Sequence, residues 1–406
     1  MTVQSLPDAA TREAIARLDA SLHTVLPVLE EQAQEGENLG HLTDTAVAAM
    51  RDAGYYSMIF PREVGGAEIP AVRGLYYLER LSHAHASAGW CASVNNAEGV
   101  TMALYIAQSG LRDIFAQGPH VTIAGSGVPR GYAREVEGGF MIIGDWAYGS
   151  AIYHADWIHS GCFVRKDGQI ETDAEGKPRI IIAHHPRNTI TLQGNWDVLG
   201  LRATGSFDYH AVNNQEIFVP AERCYEFNIS DPLRGGKQGY LGLAGYTAWA
   251  HTGWALGVGR RILDETRAVI LARRDLFGQA SDSATLRYRY AQAETAYRAA
   301  RAYAYSVWQD VQTQCDRDLP PTCQHVTQTK LALRHVHDMI SDVGTFCYRI
   351  SRGAGLHKTL LQRVYRDIHS GTQHILMADQ VIEECGRDLL GLTAPNARWA
   401  VFGIDG

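Results

Sequence analysis

The 406-residue sequence predicts an α+β protein in which a β domain lies between two helical parts. Three observations lead to this fold class. Apolar residues recur at helical spacing up to about residue 118. From Val121 to about Pro220 the apolar period falls to two, and β-branched residues stand in short runs between glycine-containing turns. Helical periodicity returns at about Leu241 and continues to the end.

The composition excludes several classes of protein. Apolar residues make up 46% and charged residues 20% of the chain, as in ordinary globular proteins. The net charge of −7 gives no basic surface for nucleic acid. The seven cysteines are scattered without a CxxC pair, which favours reduced thiols in the cytoplasm. The polar, acidic N-terminus does not have the pattern of a signal peptide. We therefore expect a cytoplasmic protein that binds neither nucleic acid nor membrane.

Amphipathic helices account for the N-terminal part. Thr43 starts a helix with Asp44 in its first turn and an apolar stripe after it, and Gly54 follows as a stop. Leu75–Leu81 and Ser87–Ala107 resume the helical period, and Gly118 and Pro119 close the segment.

The middle part contains five strand candidates. Turn signals separate them at Glu137-Gly138-Gly139 and Lys166-Asp167-Gly168, so we expect antiparallel pairing. The candidates are Val121–Ala124, Phe140–Ile143, Trp157–Ser160, Ile180–Ala183 and Glu216–Val219.

The C-terminal part is predicted to form a helical bundle. Four long amphipathic segments with short connections predict a four-helix bundle, and they are Arg260–Arg273, Ala284–Cys315, Thr327–Ile350 and Leu360–Gly386. Before them, Gln238–Gly259 carries no Asp, Glu, Lys or Arg, but its glycines, tryptophans and His251 favour a close-packed buried helix over a membrane span. The predicted parts are 1–118, 119–225 and 226–406.

Gly144–His154 is the first candidate site. Trp146, Tyr148 and Ser150 alternate, so in a strand they would share one face with two aromatic rings and a hydroxyl. Gly149 lets a flat ligand approach the backbone. Such a wall suits a conjugated ring with heteroatoms, although an ordinary half-buried strand has the same pattern.

Nucleotide and metal motifs are not found. GSGVPRG at Gly125–Gly131 lacks the GxGxxG spacing, and a strand-like segment follows it instead of a helix. The close histidine pairs, such as His184 and His185, have no carboxylate at metal-ligand spacing. We expect neither a Rossmann site nor a metal site.

Three stretches in order resemble the flavin-binding middle domain of the acyl-CoA dehydrogenase superfamily. They are SGVPRGYA at Ser126–Ala133, WAYGS at Trp146–Ser150 and WDVLGLRATGS at Trp196–Ser206. MRDAGYYSMIFPREVGG and, loosely, LARRDLFGQ are also similar to phrases of that superfamily. The resemblance implies an N-terminal helical domain, a middle antiparallel β-barrel domain, a C-terminal four-helix bundle and a homotetramer.

The C-terminal stretch Leu361–His369 resembles the signature of the flavin-dependent monooxygenase branch of this superfamily. Dehydrogenases usually carry a catalytic glutamate in a tyrosine-glutamate-glycine-threonine phrase. Here the matching phrase is His369-Ser370-Gly371-Thr372, which lacks the base that abstraction of an α-proton needs. Ala151 departs from the branch, which usually has glycine at that position.

The resemblance implies the oxygenase component of a two-component monooxygenase. Such a component uses reduced FMN or FAD and O2, through a C4a-hydroperoxyflavin, to hydroxylate an aromatic or polycyclic small molecule. No NAD(P)H-binding fold is visible, so we expect a separate NAD(P)H-dependent flavin reductase. The alternatives are an N-oxygenase of an amine or amino sugar, an acyl-CoA dehydrogenase or nitroalkane-type oxidase, and a catalytically inactive flavin-fold partner protein.

The same resemblance assigns flavin-binding roles. Ser150 is the predicted hydrogen-bond donor to flavin N5, and Ser126 and Thr204 are predicted to bond the pyrimidine edge. Trp146 is predicted to pack near the ring. Arg274 is predicted to meet a flavin phosphate across a subunit interface.

Substrate-side roles follow in the same way. His369 is the predicted catalytic residue beside Ser150, because an imidazole titrates near neutral pH and can take a proton from a phenol. Trp90 and Asn95 belong to GWCASVNNAEG, which is similar to a pocket-lining helix of the branch. We predict that Trp90, Asn95 and Tyr148 contact the substrate.

Overall fold

The computed structural model describes residues 8–116, 118–173, 176–229, 231–275 and 278–405. Within these residues the helices precede and follow a central sheet, as the sequence predicts. The helices before the sheet are α1 (Ala9–Leu39), α2 (Asp44–Asp52), α3 (Ala71–Ala84), α4 (Ala86–Tyr105) and α5 (Gln108–Ile114). The helices after it are α6 (Gly242–Ala272), α7 (Ala284–Asp316), α8 (Cys323–Ser351), α9 (Gly353–Leu356), α10 (Leu360–Gly371) and α11 (Asp379–Leu389).

Local chemistry sets the ends of the N-terminal helices. The Thr43 hydroxyl accepts the N–H of Ala46 at 3.2 Å and caps α2, the helix predicted to start at Thr43. Gly40 ends α1 with φ 75°, a conformation that glycine adopts without steric cost.

The central sheet has nine strands. They are β1 (Ile123–Val136), β2 (Gly139–Gly149), β3 (Trp157–Lys166), β4 (Gln169–Ile170), β5 (Ile180–Pro186), β6 (Ile190–Leu192), β7 (Phe207–Ala211), β8 (Ile217–Pro220) and β9 (Cys224–Glu226). The order is β6-β7-β2-β1-β3-β5-β9, with β4 beside β3 and β8 beside β2. The five predicted strands overlap β1, β2, β3, β5 and β8, and only Val121, Thr122 and Glu216 fall outside the observed strands.

Two features of the sheet differ from the prediction. The β1–β3 pair is parallel, whereas the other pairs are antiparallel. The pairings among the described strands form an open path from β6 to β9, so a closed barrel is not observed. GSGVPRG lies inside β1, where the pairing register shifts between Ser126 and Gly131. This part of β1 lines the site described below.

The C-terminal helices confirm the bundle with one correction. α6 packs on α7, α8 and α10, and its uncharged first half is buried, as predicted for Gln238–Gly259. The fourth predicted helix, Leu360–Gly386, is wrong as a single element, because it is divided into α10 and α11. At Gly371 the backbone runs directly against Trp254, and a Cβ there would lie 2.0 Å from that ring. Among the described residues, no helix combines the length and the apolarity that crossing a membrane requires.

Candidate active site

A cavity of about 970 Å³ lies where α4, α6 and α10 meet the β1–β2 end of the sheet. It is within the size range of sites that enclose a cofactor ring together with a small ligand. Its lining includes Trp90, Val94 and Glu98 from α4, His251 from α6, and His369 and Ser370 from α10. The three parts of the chain therefore contribute to one site.

Three hydroxyl groups form a chain on one wall of the cavity. The Ser150 and Ser206 oxygens are 2.7 Å apart, and the Ser206 and Thr204 oxygens are 2.7 Å apart. The indole N–H of Trp90 donates to Ser150 Oγ at 3.0 Å, and Thr204 Oγ1 donates to the Leu201 carbonyl at 2.8 Å.

The two ends of this chain fix the direction of its protons. An indole N–H can only donate and a carbonyl can only accept. Thr204 gives its proton to the Leu201 carbonyl, so Ser206 donates to Thr204 and Ser150 donates to Ser206. Ser150 therefore offers a lone pair to a ligand. This corrects the predicted role of Ser150 as a donor and makes it an acceptor.

Ser206 is a site residue that the sequence reasoning missed. It ends the WDVLGLRATGS phrase, and Gly205, with φ 53°, turns the chain so that Ser206 comes beside Thr204. Its position two residues after Thr204, within the same WDVLGLRATGS motif, could have identified it.

Ser126 lies on the β1 side of the cavity, and its bond to the pyrimidine edge of a flavin stays a prediction. Its backbone N–H donates to the Tyr209 hydroxyl at 3.1 Å. The neighbouring Gly125 and Gly127 also line the cavity. A Cβ at Gly125 would lie 2.1 Å from the His159 carbonyl oxygen, so only glycine allows β1 to approach β3 here.

Trp146 does not line the cavity, in contrast to the prediction. It is 1% exposed, donates its indole N–H to the Gly161 carbonyl at 2.8 Å, and stacks on Tyr209 at 5.3 Å. Gly131 and Gly144 leave room for its ring, since a Cβ at either would lie within 3.0 Å of it. Trp146 stabilises the sheet beneath the site instead of packing against a ligand.

The predicted shared face of Trp146, Tyr148 and Ser150 is wrong. The β2–β7 register shifts between Trp146 and Gly149, and Tyr148 has φ 63°. The alternation therefore breaks, and Tyr148 is 70% exposed while Ser150 is buried. Tyr148 still lies at the rim of the cavity, edge-on to Trp196 at 6.3 Å.

Asn95 is a structural residue, which corrects its predicted contact with substrate. It is fully buried, its Nδ2 donates to the Tyr56 carbonyl at 2.7 Å, and its Oδ1 accepts the Ile123 N–H at 2.6 Å. Both ends of the amide are used by backbone groups, and they join α4 to the start of β1.

His369 lies in the cavity wall, opposite the sheet. Its ring is edge-on to Tyr365 at 4.5 Å, and its buried Nε2 has no partner among the described residues. Burial lowers the pKa of His369 below its usual value, so the imidazole is neutral at pH 7. A neutral imidazole can accept a proton from a ligand.

The sequence reasoning missed further titratable residues of the cavity wall, among them Glu98, His251 and His374. The His251 and His374 rings are 4.1 Å apart, and Trp90 contacts both. Burial raises the pKa of Glu98 well above its usual value, and its Oε2 has no partner among the described residues. Glu98 follows Trp90 and Val94 at four-residue spacing, so the three residues share one face of α4. The prediction of Trp90 as a pocket residue could therefore have been extended to Glu98.

Arg274 lies outside the cavity. It is exposed in the short strand β10 (Arg274–Asp275), which pairs with β11 (Gly278–Gln279). Leu276 and Phe277, which belong to the LARRDLFGQ phrase, lie outside the described residues. The phosphate contact across an interface stays a prediction.

The cavity fits a flat conjugated cofactor. The glycine edge of β1 allows close approach of a ring, the hydroxyl chain offers polar contacts at one edge, and the remaining walls are mainly apolar. In the described part of the chain, no group of three or more His, Cys, Asp or Glu side chains is placed to hold a metal ion.

Comparison with known proteins gives concordant matches. The C-terminal domain of acyl-CoA dehydrogenase matches residues 249–379. The oxygenase subunit HsaA of a flavin-dependent monooxygenase from Rhodococcus jostii (strain RHA1) is 31% identical over 218 residues, which is 53% of this chain and only about half, 53%, of that protein. Indole-3-acetate monooxygenase from Pseudomonas putida is 26% identical over 392 residues, 94% of this chain and 96% of that enzyme.

A solved structure extends the likeness to the fold. XiaF from Streptomyces sp., in complex with FADH2 and glycerol, superposes with a TM-score of 0.84 at 21% identity, covering 95% of this chain and 98% of that one. At this identity the likeness concerns the fold alone.

Proposed function

We propose that the chain belongs to the flavin-dependent monooxygenase branch of the acyl-CoA dehydrogenase superfamily and is the oxygenase component of a two-component hydroxylase. The substrate is an aromatic or polycyclic small molecule. The reaction consumes the substrate, O2 and reduced flavin, and yields the hydroxylated product, water and oxidised flavin. The observation that carries the proposal is that the hydroxyl chain ending at Ser150 and the neutral His369 line one largely apolar cavity.

Reduced FMN or FAD supplies the two electrons that activate O2. The residues that would hold the flavin ring are Ser126, Ser150 and the Ser206–Thr204 part of the hydroxyl chain. Reduced flavin carries a proton on N5 and oxidised flavin does not. Since Ser150 offers a lone pair, it is matched to the N5–H of the reduced form.

His369 is the residue that would handle the substrate proton. Its neutral imidazole, with Nε2 unpartnered, can accept the proton of a phenolic hydroxyl. Removal of that proton makes the aromatic ring more electron-rich and therefore easier to hydroxylate. The apolar walls exclude water, which limits the loss of oxidising equivalents as hydrogen peroxide.

Two further assignments belong to the proposal. A separate NAD(P)H-dependent reductase delivers the reduced flavin, since the described fold has no nucleotide-binding βαβ unit. The protein is a homotetramer, in which Arg274 of one subunit meets the flavin phosphate of another.

Oxygen labelling tests the proposal. The protein is mixed with chemically reduced FMN or FAD under an atmosphere of ¹⁸O2 with a panel of phenols and indoles, and products and hydrogen peroxide are measured. We expect one labelled oxygen in the product. If flavin oxidises no faster than it does free in solution and no panel member gains label, the oxygenase assignment is wrong.

Glu98 favours one second candidate, a flavin dehydrogenase or oxidase. It is the single carboxyl side chain in the described cavity lining, and a carboxyl with a raised pKa can serve as a base near neutral pH. Anaerobic mixing of the oxidised flavoprotein with acyl-CoA thioesters or nitroalkanes distinguishes the two. Bleaching of the flavin that is lost in Glu98→Gln would favour this candidate.

A further inference from the structure

We propose that the end of the cavity formed by His251 and His374 binds a carboxylate on the aromatic substrate, with the ammonium of Lys330 behind it. This inference deepens the proposed function and rests on it, because it names the class of substrate. It uses residues to which the hydroxylation itself assigns no role.

His374 offers a hydrogen-bond donor to the cavity. Its Nδ1 accepts the backbone N–H of Leu376 at 3.3 Å. Burial holds the pKa of His374 at about 3, so the imidazole is neutral and carries one proton. With Nδ1 acting as the acceptor, that proton is on Nε2. No acceptor for this N–H is present among the described residues.

His251 adds an unsatisfied polar atom beside it. The His251 side chain is 3% exposed, lines the cavity and packs at 4.1 Å from the His374 ring. Its Nδ1 is shut off from solvent and has no partner in the described part of the chain. Buried polar atoms are rarely left unpaired, so the imidazole pair indicates a polar ligand at this end of the cavity.

Lys330 supplies positive charge behind the pair. It is 1% exposed, and its Nζ donates to the carbonyl of Val401, a residue that lines the cavity, at 3.2 Å. No carboxylate of the described residues forms an ion pair with it, and the Trp399 ring is its other contact, at 5.6 Å. Burial is the main cause that lowers the pKa of His251 and His374, and the positive charge of Lys330 lowers both further.

The remaining charged groups of the cavity do not oppose a carboxylate at this end. Glu98 lies two helical turns along α4 from Trp90, which is about 12 Å, and it is kept protonated by burial. Arg130 is exposed at another part of the lining. A carboxylate could pair with Arg130 instead, so Arg130 is the competing site in the test.

A matched pair of ligands tests the inference. Naphthalene-2-acetate and naphthalene-2-acetamide have nearly the same shape, and only the first carries a charge. Their dissociation constants are measured by ligand fluorescence on the wild-type protein without flavin. We expect the carboxylate to bind at least tenfold more tightly than the amide. Equal binding, or tighter binding of the amide, overturns the inference without any variant.

Variants locate the preference. Lys330→Met keeps the length of the buried side chain, and we expect it to reduce the preference to less than threefold. Arg130→Gln is the matched control and should retain the wild-type preference. A preference that disappears in Arg130→Gln and persists in Lys330→Met overturns the inference.

Failure of this inference is distinct from failure of the proposed function. Labelled hydroxylation of neutral aromatics combined with equal binding of the two naphthalenes would reject the carboxylate site alone. A clear carboxylate preference in a protein that gives no labelled product would reject the hydroxylase assignment alone.

Discussion

Each hydroxyl proton of the Ser150–Ser206–Thr204 chain has one destination, because the Leu201 carbonyl at its end can only accept. This makes the ligand-facing side of Ser150 an acceptor. The proposed preference for a reduced flavin therefore depends on Ser206 and Thr204 behind Ser150, and it can be tested without changing Ser150 itself.

Ser206→Ala should shift the flavin preference. The change frees the Ser150 proton, which can then be donated to the bare N5 of oxidised flavin. We expect the dissociation constant for reduced flavin to rise about fivefold, in line with about 1 kcal/mol for one hydrogen bond, and that for oxidised flavin to fall. Anaerobic and aerobic titrations of flavin fluorescence measure both. Ser206→Thr keeps a hydroxyl and is the control; an unchanged ratio of the two constants in Ser206→Ala would contradict the proton direction.

Glu98 makes stability depend on pH in a direction that follows from its burial. Its folded pKa is raised, so the folded state holds the proton more tightly than the unfolded state. Stability is fully present below the unfolded pKa near 4.3 and is lost as pH rises towards the folded value. Glu98→Gln removes this titration. We expect the free energy of unfolding of the variant, relative to that of wild type, to increase with rising pH by at most about 1.4 kcal/mol per pH unit.

Urea denaturation at pH 5, 6.5 and 8 measures this difference. Glu135→Gln, an exposed carboxylate on β1, is the control for the general effect of removing an acid. Parallel pH profiles for wild type and Glu98→Gln would show that the Glu98 carboxyl is solvated by the cavity and is not perturbed.

Site residues that belong to a recognisable sequence motif were identified from the sequence. Residues whose orientation depends on tertiary packing were misplaced. Ser126, Ser150, Thr204, Trp90 and His369 all line one cavity, as predicted. Tyr148 was placed on the wrong face because a register shift, which has no local sequence mark, interrupts the alternation. Asn95 was assigned to the substrate because its backbone partners come from segments distant in sequence.

At the scale of elements, Asp367 and Arg366 both hold α10 against the 196–206 loop, and Arg366 donates to the Leu199 carbonyl at 2.7 Å. The Asp367 carboxyl accepts the N–H of Leu201 at 2.6 Å, and Leu201 has φ 54°. A Cβ at Gly200 would lie 2.3 Å from the Arg366 backbone, so the loop touches the helix directly. His369 is in the same turn of α10 and Thr204 is in the same loop. These contacts therefore set the width of the cavity.

Asp367→Ala should loosen both elements, whereas Asp367→Asn should not. The asparagine keeps an oxygen acceptor for the Leu201 N–H, and the alanine leaves that buried donor unpaired. We expect the alanine variant to be less stable than the asparagine variant by about 1–3 kcal/mol. Hydrogen exchange followed by mass spectrometry should show faster exchange of 199–204 and 360–371 in the alanine variant alone. Equal protection in the two variants would remove Asp367 from the docking of α10.

The elements were predictable in proportion to their length. The long amphipathic helices and the five longer strand candidates have enough residues to show a period, and each is present. Strands of two or three residues, such as β4, β6 and β9, are defined by their partners and have no period to detect. The break between α10 and α11 arises from contact between Gly371 and Trp254, which belongs to a distant helix, so the periodicity of Leu360–Gly386 continued through it.

At the scale of the whole molecule, the three parts of the chain share one cavity, and the single chain places Arg274 away from it. An exposed arginine outside the cavity is placed to meet the phosphate of a cofactor that extends from a neighbouring subunit. The predicted homotetramer and the predicted role of Arg274 are therefore one hypothesis, and a test of either one informs the other.

Arg274→Ala should weaken binding of FMN and leave riboflavin unaffected, because riboflavin has the same ring without the phosphate. We expect the dissociation constant for reduced FMN to rise about tenfold, the loss of about 1.4 kcal/mol for a charge-assisted contact. Stability should change by less than about 0.5 kcal/mol, as for an exposed side chain. Light scattering should give the same mass for both proteins, four times 44.7 kDa.

Mixed tetramers decide whether the contact crosses the interface. In these tetramers, Arg274→Ala subunits are assembled with subunits whose own ring site is blocked by Ser126→Trp. Contact across the interface restores normal FMN affinity at a share of the open sites, because an intact arginine then comes from the blocked neighbour. Uniformly weak binding at the open sites would place the arginine and its phosphate in the same subunit.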